Sequence, residues 1–327
     1  ESDVYIRQAL SNGCAIGFKP GSTGQVLGDA GNDTVTINNS VVGGAGAATV
    51  DGGADNDSIA LTNGASIGPR GKVLGSAGND TVSIDDSITR SGGSVIDGGA
   101  DTDLLSFTAK GNATVAPRAF LNFERLQKLG AGTLTLSGSQ TWSESTTVSA
   151  GTLNVAGVLT SVSTVVEPGA TLATRSGRFV GSVFNQGTVS PGGAGRVETT
   201  SVTGTLTQTG TGILAVDVDM GAGRADRVNV NGPASLAGFV QPTVDKIQQR
   251  SQGFTILSAA GGTINQGIKL TAKDTAVIDY QLLFPNPNDM VLAILVDFSA
   301  SGLNRNQTAI GDHFNWHLDQ GLSLIHI

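Results

Sequence analysis

The sequence predicts an all-β solenoid: a chain wound into stacked coils of short strands, ending in a β-rich cap and a short C-terminal helix. Three observations predict it. Gly and β-branched residues alternate with turn residues over most of the length, with 47 Gly, 14% charged and 5% aromatic residues in 327. A Gly-Asp-rich motif returns at a near-constant period early in the chain. A Thr-Leu or Thr-Val pair then returns at a shorter period through the middle.

The first repeat is long and specific. Val26-Leu27-Gly28-Asp29-Ala30-Gly31-Asn32-Asp33-Thr34-Val35-Thr36-Ile37 returns as Val73-Leu74-Gly75-Ser76-Ala77-Gly78-Asn79-Asp80-Thr81-Val82-Ser83-Ile84. Val50-Asp51-Gly52-Gly53-Ala54-Asp55-Asn56-Asp57 and Ile96-Asp97-Gly98-Gly99-Ala100-Asp101-Thr102-Asp103 fill the remaining places. Aligning Val26, Val50, Val73 and Ile96 gives steps of 24, 23 and 23. Units of one length imply one coil each, and about 23 residues suits three short strands with turns.

The second repeat places Thr133-Leu134, Thr152-Leu153, Thr171-Leu172, Thr188-Val189 and Thr205-Leu206 at steps of 19, 19, 17 and 17. The apolar member of each pair is expected to stack inward as a ladder, with its Thr outward by strand alternation. Between the two systems, Phe120, Phe123, Leu126 and Leu129 recur every three residues, which fits a helical turn or a looping corner. The corner is preferred, because solenoid pattern flanks it on both sides. Beyond about residue 212 the period loosens into strands at Ile213–Val218, Asp226–Val230, Ser235–Val240 and Gly253–Ser258, after which the segment Lys273–Phe284 leads to Met290–Val296. Such atypical end units cover the open edge of a repeat array. Leu303, Gln307, Ile310, Phe314 and Leu318 then step by four and three, the period of a helix, with Asn304 or Asn306 as N-cap.

Composition excludes several classes. Regular apolar spacing argues against a disordered Gly/Ser-rich chain. A net charge of −8 disfavours nucleic acid and anionic membrane as partners. The single cysteine, Cys14, allows no internal disulfide framework. No apolar run reaches the roughly 20 residues of a membrane-spanning helix. The chain opens Glu-Ser-Asp-Val without Met or signal peptide, so its N-terminus is expected to lie upstream, and because repeats already run at residue 26, further coils are expected before them. The last six residues, Leu322-Ser323-Leu324-Ile325-His326-Ile327, match a frame translation of the transposase mosaic end used to fragment DNA, and are read as adapter.

Several stretches together resemble bacterial autotransporter passengers of the type V secretion class. Lys128-Leu129-Gly130-Ala131-Gly132-Thr133-Leu134-Thr135-Leu136-Ser137-Gly138, followed by Thr146-Thr147-Val148-Ser149-Ala150-Gly151-Thr152-Leu153-Asn154-Val155-Ala156-Gly157, resembles the passenger-associated transport repeat. Asn185-Gln186-Gly187-Thr188-Val189-Ser190-Pro191-Gly192 is similar to the rung that follows it. Ala225–Gly232, Leu236–Gly238 and Phe254–Gly262 are similar to the β-helical autochaperone cap, and Leu303–Ile310 to the start of the linker before the barrel. The resemblance covers roughly residues 125 to 318 and implies a right-handed parallel β-helix of the pectate-lyase or pertactin kind. It also implies a C-terminal outer-membrane β-barrel as the chain's own partner, and a place at the cell outer membrane, on the cell surface or secreted. The implied organisation is a truncated N-terminal segment 1–23, Asp/Gly-rich solenoid repeats 24–129, transport-repeat rungs 130–200, an autochaperone-like cap 201–298, a linker helix 299–321 and the adapter 322–327.

No residue is assigned a catalytic, cofactor-binding or metal-binding role. Gly28–Thr36 and Gly52–Ile59 each differ at one glycine from a calcium-binding nonapeptide, but they stand about 23 residues apart rather than back to back. Asp and Asn equally serve turns. His313 and His317 are four apart on the expected helix, and two ligands are too few for zinc. Glu144, Glu167 and Glu198 lack rung spacing, so no carboxylate pair for glycoside chemistry forms by register. Asn32, Asn79 and Asn112 are Asn-x-Thr sites that turn chemistry explains. The expected function is a non-catalytic stalk and secretion cap that presents an adhesin or effector, with no cofactor and with any host or cell-surface ligand left unidentified. The alternative is an extracellular carbohydrate-active β-helix, a lyase or hydrolase.

Overall fold

The computed structural model describes residues 9–10, 15–16, 20–245, 247, 251–275, 277–299 and 301–320. Cys14 and the hexapeptide Leu322–Ile327 lie outside the described residues. The fold is all-β, a β-solenoid of about ten turns with one short C-terminal helix. Contacts divide it into two compact units, residues 1–153 with 159–164, and residues 154–158 with 165–327.

The N-terminal unit builds three parallel sheets from the 23-residue repeat. Thr23–Leu27, Ala47–Ala54, Gly71–Ala77 and Val95–Ala100 form one sheet, with Val26, Val50, Val73 and Ile96 in register as the repeat predicts. Val41–Val42, Ser66–Ile67 and Thr89–Arg90 stack in a second. Thr34–Asn38, Ser58–Thr62, Thr81–Asp85, Leu104–Thr108, Arg125–Leu129 and Ser145–Val148 stack in the third.

Side-chain alternation makes two inward columns on that third sheet. One runs Val35, Ile59, Val82, Leu105, Leu126, Thr146 and the other Ile37, Leu61, Ile84, Phe107, Lys128, Val148, all of them buried. Stacked coils lie about 4.8 Å apart, so each apolar side chain covers the one below. An upstream coil is present as well: Ala9–Leu10 pairs with Thr36–Ile37, and Ala15–Ile16 with Val41–Val42. The stretch at 117–124 is a corner without helix, and Arg125–Leu129 is already strand.

In the C-terminal unit one expectation is corrected. Thr171-Leu172 pairs with Thr188-Val189, but the next rung on that ladder is Ile213-Leu214 rather than Thr205-Leu206. Leu206 instead follows Val183 and precedes Ala234 on a neighbouring face. Here the coil has lengthened in the turns at 191–198 and 209–212, and a second Thr-Leu on a different face mimics the period. The ladder continues from Leu214 to Val240 and Leu270. The expected strand Ser235–Val240 is also two strands, Ala234–Leu236 and Phe239–Asp245. Gly238 turns the chain between them at φ +71°, in the left-handed region that favours glycine.

Parallel stacking stops in this unit. Ser251–Ala259 lies parallel to Arg227–Val230 on one edge, but antiparallel to Asp289–Val296 on the other. Asp289–Val296 pairs antiparallel again with Ile278–Leu283. The helix Arg305–Asp319 follows, capped by Asn304, whose side chain accepts from the Gln307 backbone while the Gln307 side chain accepts from the Asn304 N–H. Its packed face carries Gly311, Phe314, Asn315 and Leu318, with Phe314 edge-on to Phe298 at 5.4 Å. Ile310 of the predicted apolar stripe is 57% exposed.

Candidate functional site

The Asp-rich motif forms two opposed hydrogen-bonded columns. The N–H groups of Asp33, Asp57 and Asp80 donate to Oδ1 of Asp57, Asp80 and Asp103, one coil further on, each at 2.7 Å. Glu124 closes this column, accepting from the Asp103 N–H at 2.9 Å. The other column runs the opposite way: Asn32, Asn56 and Asn79 accept through Oδ1 from the N–H of Asn56, Asn79 and Thr102. Thr102 has no side-chain carbonyl, so this column ends there.

Backbone geometry explains the variable positions between. The residue after the first Gly (Asp29, Gly53, Ser76, Gly99) and the residue two places on (Gly31, Asp55, Gly78, Asp101) take positive φ in all four coils. Gly occupies such places at no steric cost and Asp or Asn at small cost, which is why Gly and Asp interchange there, Ser76 being the exception.

The second carboxylate oxygens have no partner. Oδ2 of Asp33, Asp57, Asp80 and Asp103 is buried and unpaired. Each lies against the α-carbon of Gly28, Gly52, Gly75 or Gly98, where an added methyl would stand between 2.3 and 2.7 Å from it. Burial pushes the Asp57 and Asp103 carboxyls up to about 6, opposed by the hydrogen bond each accepts, with neighbouring carboxylates raising them further. Burial raises Asp80 in the same way. Among the described residues, no three His, Cys, Asp or Glu side chains gather in a way that could hold a metal ion.

A second arrangement lies in the transport-repeat stretch. Lys128 occupies an inward position between Phe107 and Val148 and is fully buried. Its stem continues the apolar column, and its Nζ turns into the corner. There it donates to the carbonyls of Gly130 and Gly132 at 2.6 Å and of Ala150, on the next coil, at 2.7 Å. Burial pushes the ammonium down to about 8. Three donors meet three acceptors, so the charge sits in a complete carbonyl cradle.

The alternation Leu126-Gln127-Lys128 signals an inward lysine, though the sequence reading did not single it out. The C-terminal unit repeats the device with neutral groups. Asn185 donates to Gln208 Oε1 and the Ile213 carbonyl, and Gln208 to the carbonyls of Ala237 and Phe239. Each of these side chains ties one Gly-containing corner to the next.

The remaining candidates separate. His313 and His317 do meet, Nε2 to Nε2 at 3.1 Å, with Trp316 stacked on His313 and no third ligand among the described residues. Glu144 pairs with Arg125 at 3.5 Å, and Glu198 with Arg196 at 3.0 Å. Glu167 lies in a turn, its carbonyl accepting from Ala170. Asn79 serves the turn column, while the Asn112 side chain is exposed. Asp226, within the expected strand Asp226–Val230, precedes the strand Arg227–Val230 and accepts from the N–H groups of Glu198 and Asp217. Burial pushes its carboxyl up to about 7.

Residues 126–155 match the family model described as Passenger-associated-transport-repeat. No curated protein matches the chain. The matched stretch contains Lys128, all three carbonyls of its cradle and the first two Thr-Leu rungs. This repeat, together with the solenoid, fits an autotransporter passenger domain, a class of secreted or cell-surface proteins of Gram-negative bacteria whose full chains carry a C-terminal barrel.

Proposed function

We propose that this chain is the non-catalytic stalk and autochaperone portion of such a passenger, supporting its own export across the outer membrane and presenting an adhesin or effector. The observation that carries this reading is the change from parallel to antiparallel pairing at Ser251–Ala259. A partly exported solenoid exposes an unpaired strand edge, which invites misassociation. An antiparallel closure at the end that emerges first needs no further coil to complete it, and offers the following coils a template. The non-catalytic part of the reading is supported by the carboxylates, which are engaged with backbone N–H groups or with Arg125 and Arg196 rather than paired across an open face.

Hydrogen exchange on the full chain tests it. The slowest exchange is expected between residues 201 and 296, and the reading fails if protection concentrates in 24–108. Incubation with plant or bacterial polysaccharides should release no product. Product release would favour a carbohydrate-active enzyme instead.

A further inference from the structure

The first and second sheets of the N-terminal unit end on one coil, at Val95–Ala100 and Thr89–Arg90, while the third continues. The second runs Thr89–Arg90, Ser66–Ile67, Val41–Val42, Ala15–Ile16, so among the described residues no strand covers the upper edge of Thr89–Arg90. The next strand in sequence with an open flank, Asn112–Val115, has joined the large sheet instead. The inward column Val42, Ile67 therefore ends at Arg90. Above it the corner at 116–120 bridges over, leaving a cleft of about 650 Å³. That volume lies inside the roughly 300–1,000 Å³ of small-ligand sites.

The lining specifies a chemistry. The Arg90 guanidinium lies over the Phe120 ring at 5.1 Å and donates to the Ala119 carbonyl and to Ser94. Lys110 is engaged by Asp85 at 2.9 Å. Arg90 is held by neutral groups and Lys110 by a carboxylate, while Asp85 and Asp86 line the cleft and the chain carries a net charge of −8, which works against an anionic ligand. Among the described residues, Asp86 is engaged through Oδ2, accepting from the N–H groups of Lys110 and Gly111. Its Oδ1 stays open to a donor. Asn112 and Thr114 stand on the exposed face of their strand beside it, with the Phe120 ring half-exposed in the same cleft.

We propose that this cleft binds a short neutral oligosaccharide. The C–H face of a pyranose is apolar and packs on an aromatic ring, while its hydroxyls each donate and accept. Asp86 Oδ1 takes a hydroxyl proton, the Asn112 amide pairs with two adjacent hydroxyls, and Thr114 adds a third polar contact. No bond is made or broken: the site holds the sugar without cleaving it.

Calorimetric titration of the full chain with maltotriose, cellotriose, chitotriose and mannotriose tests the proposal, with trigalacturonate as the anionic comparison. Saturable binding of at least one neutral trisaccharide is expected, weakened by about tenfold or more in N112A/T114A, as loss of well-formed hydrogen bonds predicts. Phe120→Ala should weaken it similarly. Both variants are melted in parallel, and N112A/T114A, changing only exposed side chains, should melt as the parent does. Absence of saturable binding for all four neutral sugars overturns the proposal. So does unchanged affinity in N112A/T114A, equal or tighter binding of trigalacturonate, or binding of an unfolded peptide in preference to every sugar.

Discussion

The N–H of Asp80 donates to Oδ1 of Asp103 on the next coil at 2.7 Å, while Oδ2 of both carboxylates remains buried and unpaired. Asp57 and Asp103 consequently hold protons up to about pH 6 in the fold, against an ordinary value of 3.8. Between these values the folded chain binds more protons than the unfolded one. Their contribution is therefore fully present below about pH 3.8 and is lost as pH rises through about 6. Each group is worth on the order of 2 kcal/mol. Chemical denaturation of the N-terminal unit between pH 4 and 7 should show stability declining with pH, and Asp57→Asn should flatten the slope. A slope undiminished in D57N and D103N together would refute the assignment, a smaller remainder being expected from Asp80.

The glycines beneath the column have no room for a side chain. A methyl on Gly52 would stand 2.3 Å from Asp57 Oδ2 and 2.8 Å from the Gly75 carbonyl. Gly52→Ala should destabilise the unit by about 1–3 kcal/mol, the usual range for overpacking. Gly31→Ala is the informative contrast: nothing lies within 4 Å, and its φ of +106° is the only obstacle. Thermal melting should rank G52A below G31A.

Lys128→Met keeps the stem of the side chain and removes the charged donor to the carbonyls of Gly130, Gly132 and Ala150, of which Gly132 still accepts from the Thr152 N–H. A loss of about 2–4 kcal/mol is expected. The lysine's folded value of about 8 lies below its ordinary 10.5, so its burial penalty is complete below pH 8 and fades as pH rises toward 10.5. The deficit of K128M relative to the parent should therefore widen over that interval, which denaturation at pH 7.5 and 10 measures.

At the far end, Asn315 holds the helix through three contacts. Its Nδ2 donates to Asp297 at 2.7 Å and Ser299 at 2.8 Å, and its Oδ1 accepts from the Phe298 N–H at 2.9 Å. Asn315→Ala should release the helix with little effect on the coils. Amide exchange across 305–319 is expected to accelerate by about tenfold or more, as loss of a buried polar network predicts. Protection in 201–245 should stay unchanged.

The N-terminal coils were readable because one motif returns with its inward residues in place, as the register of Val26, Val50, Val73 and Ile96 demonstrates. The Thr-Leu period was readable only while coil length stayed at 17 to 19 residues. When it changed after Val189, Thr205-Leu206 matched the period on a different face. The upstream strands Ala9–Leu10 and Ala15–Ile16 carry too few residues for any pattern to reveal them. The cleft above Thr89–Arg90 left no local mark, because it arises from a missing strand and not from a motif.

By itself the sequence determined the winding: a repeating length, an alternation that chooses the inward face, and Gly or Asp wherever the chain must turn left-handed. Those are local requirements, met residue by residue. Only the tertiary structure decided what the turn residues do once stacked. An Asp meets the N–H of the coil below it, and a Gly meets an oxygen, only when coils some 23 residues apart come to about 4.8 Å. The buried carboxylates, the cradle around Lys128 and the antiparallel closure belong to that stacking, because each depends on which coil becomes whose neighbour.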